Sequence, residues 1–166
     1  MWFLTQEGVD RYDGKYIKHY NFSDDSIKLD SRIALNWLYM DSGNILWVIG
    51  QKGRIFRYDS QHDKFKLAYI HPELIRNKPQ AFLNYGYLDK NDRIWLCYKD
   101  SITWYDIRTG TTLHMPTPVN GEITAIEQTD SNHFFIGTGN GLFHAGIEKG
   151  KLNIMPVSYT HLTLPT

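Results

Sequence analysis

Apolar residues in this chain come in short runs that alternate with polar ones and end in Gly, Asp, Asn or Ser. A period of two bounded by turn formers is the pattern of half-buried β-strands. It predicts strands over 2–5, 9–12 and 15–20, then 33–40, 45–50, 54–58 and 65–70. Further strands fall at 82–88, 93–98, 101–105 and 111–114, and at 122–128, 133–138, 141–146 and 151–155. Asp13-Gly14 predicts a two-residue hairpin turn, since both residues tolerate positive φ. Helical pattern is confined to Glu73–Lys78, room for one turn.

The runs repeat. Trp2 to Asp13, Trp47 to Asp59, Trp95 to Asp106 and a degenerate Phe135 to His144 each begin with an aromatic, and the first three close on Tyr-Asp. The anchors Trp2, Trp47, Trp95 and Phe135 are 45, 48 and 40 residues apart. A second signature precedes three of them: Leu35-Asn36-Trp37, Leu83-Asn84-Tyr85 and Ile123-Thr124-Ala125, each followed by a turn. Asp41 to Trp47 and Asp89 to Trp95 are six-residue steps, whereas Asp130 to Phe135 is one shorter, which predicts a drifted or slipped fourth copy.

A period of roughly 40–50 residues with four strands per unit is that of propeller blades. The predicted fold is therefore all-β, a partial β-propeller of about three and a half to four antiparallel blades spanning residues 1–156. The blades divide at 1–32 (partial, lacking the innermost strand), 33–80, 81–121 and 122–156. The anchor rings are expected to wedge between neighbouring blades. Tyr12, Tyr58 and Tyr105 are expected to pack, and each following Asp to cap a turn. Gly50 and Gly137 are expected to allow close approach near the hub. Residues 157–166 match no repeat and resemble the translation of a sequencing-library adapter, so they are expected to be a non-native tail. With three and a half blades the ring cannot close, and the isolated chain is expected to associate or be poorly soluble.

Composition narrows the function. Lys+Arg and Asp+Glu are both 18, and this zero balance lacks the basic footprint of a nucleic-acid binder. No run of about 18 apolar residues suggests a membrane helix. The one cysteine, Cys97, reads as a buried, inert thiol on the side of Trp95. P-loop, Cys-x-x-Cys and His-Glu-x-x-His motifs are absent, so no metal, cofactor or catalytic residue is expected. Asp89 to Asp92 faintly resembles the start of a calcium loop but lacks its Gly and terminal Glu, which favours turn chemistry. Asp24-Asp25 and Asp92 read as solvated link residues.

The pattern Asp-x-x-Gly-Asn-x-(Leu/Ile)-Trp followed by Gly, Gly and Arg-Tyr-Asp, best seen from Asp41 to Asp59, resembles the two-component regulator propeller repeat. The resemblance covers residues 1 to about 155. It implies seven-bladed propellers in the periplasmic sensor of hybrid two-component regulators that respond to glycan-derived ligands. Homodimers, a membrane helix and a histidine kinase would belong to the full-length protein, and the kinase domain is not in this chain. The remaining propeller blades of the same protein and an oligosaccharide ligand are the implied partners. Alternatives are a propeller enzyme resembling streptogramin lyases and a protein-interaction propeller.

Propeller ligands commonly meet the face made by inter-blade links and second-to-third-strand loops. Here that face comprises 21–32, 71–80 and 115–121, with Gln51–Gly53 and Lys99–Asp100. Its densest polar group, Arg76, Asn77, Lys78 and Gln80, is the candidate ligand contact. Trp37 and Trp104 are candidates for stacking a sugar ring, with packing between blades as their alternative role. His71 and His114, at strand ends near the links, are further candidates.

Overall fold

In the computed structural model the alternating runs become four antiparallel sheets. Residues 1–22, 34–72, 82–117 and 119–157 of the chain are described. The first sheet has three strands, β1 (Trp2–Leu4), β2 (Val9–Tyr12) and β3 (Ile17–Tyr20). The second runs β4 (Leu35–Met40), β5 (Leu46–Gly50), β6 (Arg54–Asp59) and β7 (Lys64–Tyr69). The third runs β8 (Leu83–Leu88), β9 (Arg93–Tyr98), β10 (Ser101–Asp106) and β11 (Thr112–Pro116). The fourth runs β12 (Ile123–Gln128), β13 (His133–Thr138), β14 (Gly141–Glu148) and β15 (Lys151–Pro156). Within each sheet every strand pairs with its sequence neighbour; β4, β8 and β12 are the innermost strands and contact one another in order, and β1, which holds the second-strand position of its blade, contacts β4. This is the predicted partial propeller.

Alternation decides which neighbour each residue meets. Trp95, Cys97 and Trp104 face forward and join Ile126, Phe134, Ile136 and Ala145 of the fourth sheet. Ile94, Leu96 and Tyr105 face backward and join Trp47, Ile49 and Ile55 of the second. Val48 and Phe56 close on Trp2, Leu4 and Val9 of the first. Trp95 and Phe134 are fully buried, and burial of one such ring stabilises by about 1.5–3 kcal/mol. Cys97 is fully buried, and burial pushes its thiol pKa far up, so it behaves as a small apolar residue.

Each complete inner strand carries an irregularity at the same place, between Leu35 and Trp37, Leu83 and Tyr85, and Ile123 and Ala125. The repeated Leu-Asn signature is therefore a bulge. Asn36, Asn84 and Thr124 are the extra residues, left without a register partner on the second strand.

Several expectations need correction. The six-residue step is intact in the fourth copy, because the turn begins at Thr129, whose N–H bonds the His133 carbonyl at 3.0 Å. This repeats the Asp41–Ile45 and Asp89–Arg93 bonds at 3.0 Å. The register agrees, since Phe135 pairs with Glu127 as Trp47 pairs with Tyr39 and Trp95 with Tyr87. Phe135 holds the anchor position but is 38% exposed, because it faces forward from the last sheet. Tyr12 likewise does not pack. It faces backward from the first sheet, 39% exposed, with its hydroxyl donating to the Gly14 carbonyl.

The hairpin after Tyr12 is also longer than two residues. Tyr12 pairs with Ile17, only Gly14 takes positive φ, and the Asp13 carboxylate accepts from the N–H groups of Lys15 and Tyr16. A Cβ on Gly137 would meet only ordinary contacts, so close approach does not explain it. On the inner strand β8 it is Gly86 that permits close approach, since a Cβ there would lie 3.0 Å from both Ile49 and Trp37.

Candidate functional site

Strand direction alternates, so the loops divide between two ends. The turn end gathers the first-to-second and third-to-fourth strand turns, and its carboxylates are committed to structure. Asp41 Oδ1 accepts from the N–H groups of Gly43 and Ile45, and Oδ2 from the Trp47 indole at 2.7 Å. Asp89 repeats this with Asn91, Arg93 and Trp95, and adds the Arg93 Nε at 2.8 Å. The six-residue spacing exists because one carboxylate closes the turn and holds the anchor ring. With every oxygen engaged, Asp89 is a turn former and not a calcium ligand.

Asp92 is not a solvated link residue. It is 9% exposed and accepts from the Ser42 N–H of the neighbouring blade at 3.1 Å. Asp63 joins the first two blades, accepting from Tyr20 at 2.6 Å, Tyr58, Arg11 and Lys18. The Lys18 ammonium and the two phenols hold its carboxyl well below the usual carboxylate range. Asp24-Asp25 lies outside the described residues.

The link end differs. A cavity of about 250 Å³ opens there between the β9–β10 turn and the link into the fourth sheet. Lys99, Asp100, Asn120 and Glu122 ring it, with Thr117 and Val119 on its wall. Val119 is buried and supplies an apolar surface. The Thr117 N–H bonds the Asp100 carbonyl at 3.0 Å, which sets the link against the turn. Its hydroxyl is buried with no hydrogen-bond partner among the described residues. The Asn140 side chain fixes the opposite wall by donating to the Asn120 carbonyl at 3.0 Å. Gly121 at φ 111° lets the link pass that side chain. An ammonium, two carboxylates, an amide and a hydroxyl around an apolar wall can orient a small polyhydroxylated ligand.

A second cluster lies at the same end between the second and third sheets. His71 sits 4.9 Å from the Tyr98 ring and 5.6 Å from His114, ring centre to ring centre. His114 Nδ1 is 2.8 Å from the hydroxyl of buried Thr103. A 3-10 turn over Gln51–Gly53 closes over it, and Gly53 has φ 80°. A Cβ there would fall 1.9 Å from the Tyr98 hydroxyl.

Of the sequence candidates, Arg76, Asn77, Lys78 and Gln80 lie outside the described residues, as does the helical turn expected at Glu73–Lys78. Trp104 is 5% exposed and packs 4.9 Å from Trp95, so it is a core residue and offers no face to a sugar. Trp37 is half-buried and packs on Tyr85 and Gly86. Lys99 and Asp100 lie where the loop argument put the ligand face. Glu122 lies just beyond the expected link, and Asn140 was missed because it serves the cavity only through tertiary contact.

No protein-family model matches the chain, and no curated protein matches it in sequence. It is similar in structure to the extracellular domain of a hybrid two-component system from B. thetaiotaomicron. That match has 20% identity and TM-score 0.67, covering 93% of this chain and 23% of that one. The extracellular domain of another such system from the same organism matches at 16% identity and TM-score 0.66, covering 97% and 21%. Virginiamycin B lyase from Staphylococcus aureus matches at 17% identity and TM-score 0.66, covering 96% and 52%. The chain thus spans less than a quarter of these two extracellular domains. These likenesses establish the fold.

Proposed function

We propose that this chain is a ligand-sensing propeller segment of a periplasmic sensor domain in a hybrid two-component regulator. One observation carries the reading: the regulator-type repeat signature, in which Asp41 and Asp89 hold the Trp47 and Trp95 indoles across the same six-residue step. Its fold is shared with the extracellular domains of two such systems. The segment itself binds rather than catalyses. The ligand is an oligosaccharide from glycan breakdown, taken at the link end by the cavity ringed by Lys99, Asp100, Asn120 and Glu122. Remaining blades of the same protein complete the ring, the full regulator is a homodimer, and its kinase lies beyond the membrane.

The flanking genomic sequence tests the regulator assignment. A membrane helix followed by a histidine kinase downstream is expected, and a stop codon soon after the last blade, with no kinase, overturns it. Calorimetric titration with oligosaccharides tests the ligand. A second reading, a propeller lyase, is favoured by the likeness to virginiamycin B lyase and by the paired rings of His71 and His114. Turnover of a streptogramin, abolished by His114→Ala, would replace sensing with catalysis.

A further inference from the structure

The sequence holds two Asn-Gly pairs, Asn120-Gly121 and Asn140-Gly141, and the fold sets them side by side at the link end. The Asn140 side-chain amide donates to the Asn120 carbonyl at 3.0 Å. A Cβ on Gly121 would lie 3.0 Å from the Asn140 Nδ2. In an Asn-Gly pair the glycine nitrogen can reach the side-chain amide carbon of the asparagine, because glycine has no Cβ to block the approach. The two pairs share that chemistry and differ in restraint. Asn140-Gly141 forms the tight turn from β13 to β14, with Gly141 in register with Thr138. The Asn140 N–H donates to the Thr138 hydroxyl at 3.1 Å, and its side-chain amide is engaged by the Asn120 carbonyl. Asn120 stands in the irregular link between β11 and β12 and is exposed. Its side chain makes no hydrogen bond among the described residues.

We propose that Asn120 is a site of spontaneous covalent modification, deamidation through a cyclic imide, and that the fold protects Asn140 from the same reaction. The Gly121 nitrogen bonds the Asn120 Cγ and the Cγ–Nδ2 bond breaks. The displaced nitrogen leaves as ammonia, carrying the proton of the Gly121 N–H. Water then opens the imide at either of its carbonyls. Opening at Cγ leaves an aspartate, and opening at the backbone carbonyl leaves an isoaspartate with one extra methylene in the main chain. Either product changes the cavity. A further carboxylate joins Asp100 and Glu122 on a rim whose cation is Lys99. The isoaspartate also lengthens the link between Val119 and Ile123, both buried, and so shifts the apolar wall. Loss of ammonia makes the change irreversible, and the cavity then differs between fresh and aged molecules. The inference rests on the two turns and is independent of the ligand and of the sensing reading.

Incubation of the chain in mildly alkaline buffer, once folded and once unfolded in urea, tests it. Peptide mapping by mass spectrometry follows both asparagines over time, and enzymatic methyl labelling scores the isoaspartate. In the folded chain Asn120 should convert about tenfold faster than Asn140, the effect of roughly one hydrogen bond that must break before the imide closes. In urea the two should convert at similar rates, since each is followed by glycine and neither is restrained. Circular dichroism checks that the folded sample keeps its strands throughout. Equal rates in the folded chain, a faster Asn140, or no conversion of either would overturn the proposal. The same preference for Asn120 in urea would also overturn it, because the fold would then not be what separates the two pairs.

Discussion

The two ends of the stack use the same residue types for opposite purposes. At the turn end, carboxylates are consumed by the fold: Asp89 engages two backbone N–H groups, the Trp95 indole and the Arg93 guanidinium. At the link end, Lys99, Asp100 and Glu122 ring a cavity and make no side-chain hydrogen bond or ion pair among the described residues. A carboxylate in a repeat therefore says nothing about function until its partners are counted. Charge that stabilises a scaffold is saturated, and charge available to a ligand is not. Substitutions at the two ends should accordingly separate stability from binding.

The largest effect is expected at Asp89, whose side chain is fully buried. Asp89→Ala strands the Trp95 indole, the Arg93 guanidinium and two turn N–H groups together. Removing one partner of a buried ion pair costs about 3–5 kcal/mol. Asp41→Ala, at a half-buried turn with no arginine, should cost about 1–3 kcal/mol. Thr129→Ala, at the matching exposed turn of the fourth blade, should stay within about 0.5 kcal/mol. Urea midpoints of the three variants check the order. Equal losses at Asp89 and Thr129 would mean that the carboxylate–indole bond is not what holds these turns.

That graded series also shows what was legible in the sequence. Strand positions were legible because one face of each strand is buried and the period of two is strict, as in β9, where Trp95 and Cys97 face forward and Ile94 and Leu96 backward. The interval from Asp to Trp was visible as spacing, but its cause was not, because a side-chain bond across a turn leaves no periodic trace. The fourth copy misled for the same reason. Asp130 caps the N–H groups of Asn132 and His133 and imitates the turn's first residue, which is Thr129. Trp2 meets Tyr58 and Trp47 meets Tyr105 across the first two junctions, whereas at the third Trp95 meets Phe134 and Ala145 replaces the tyrosine. The ring has moved between strands, which no single-strand pattern records. The site was half legible: loop logic located the link end, whereas Glu122 and Asn140 reach the cavity through contacts between distant loops.

Gly53→Ala should come next, at about 1–3 kcal/mol, since the residue has φ 80° and the added Cβ would collide with the Tyr98 hydroxyl. Gly53→Ala with Tyr98→Phe removes the hydroxyl contact at 1.9 Å and leaves a close ring carbon at 3.1 Å and the backbone strain, so the double variant should recover part of the loss. If it recovers nothing, the hydroxyl collision is not what the substitution costs.

Asp63 gives a pH-dependent effect. Its folded pKa is depressed by hydrogen bonds from Lys18, Tyr20 and Tyr58. A depressed carboxylate stabilises fully above its unfolded pKa, about 3.9, and the contribution disappears as pH falls through the folded value. Wild-type stability should therefore drop below about pH 4. Asp63→Asn should flatten that drop without abolishing it, because Asp59 is depressed in the same direction by Lys66 and His62. Thermal melts between neutral pH and the acid limb measure the difference.

The smallest effect on stability is expected at the link end, and there the comparison is tested from the other side. Lys99→Ala and Glu122→Gln remove exposed groups that bond nothing in the described fold, so melting should shift by no more than about 0.5 kcal/mol equivalent. If the cavity takes an oligosaccharide, the same changes should weaken binding by about tenfold each, the cost of roughly one charge-assisted hydrogen bond. Thr117→Val fills the wall with a methyl where a buried hydroxyl has no partner among the described residues. Replacing an unsatisfied hydroxyl by an isosteric apolar group is neutral or stabilising when nothing is bound, and costly when a ligand must satisfy it. A variant that melts higher yet binds more weakly would mark Thr117 as a ligand contact, whereas one that melts higher and binds equally well would remove the hydroxyl from the site.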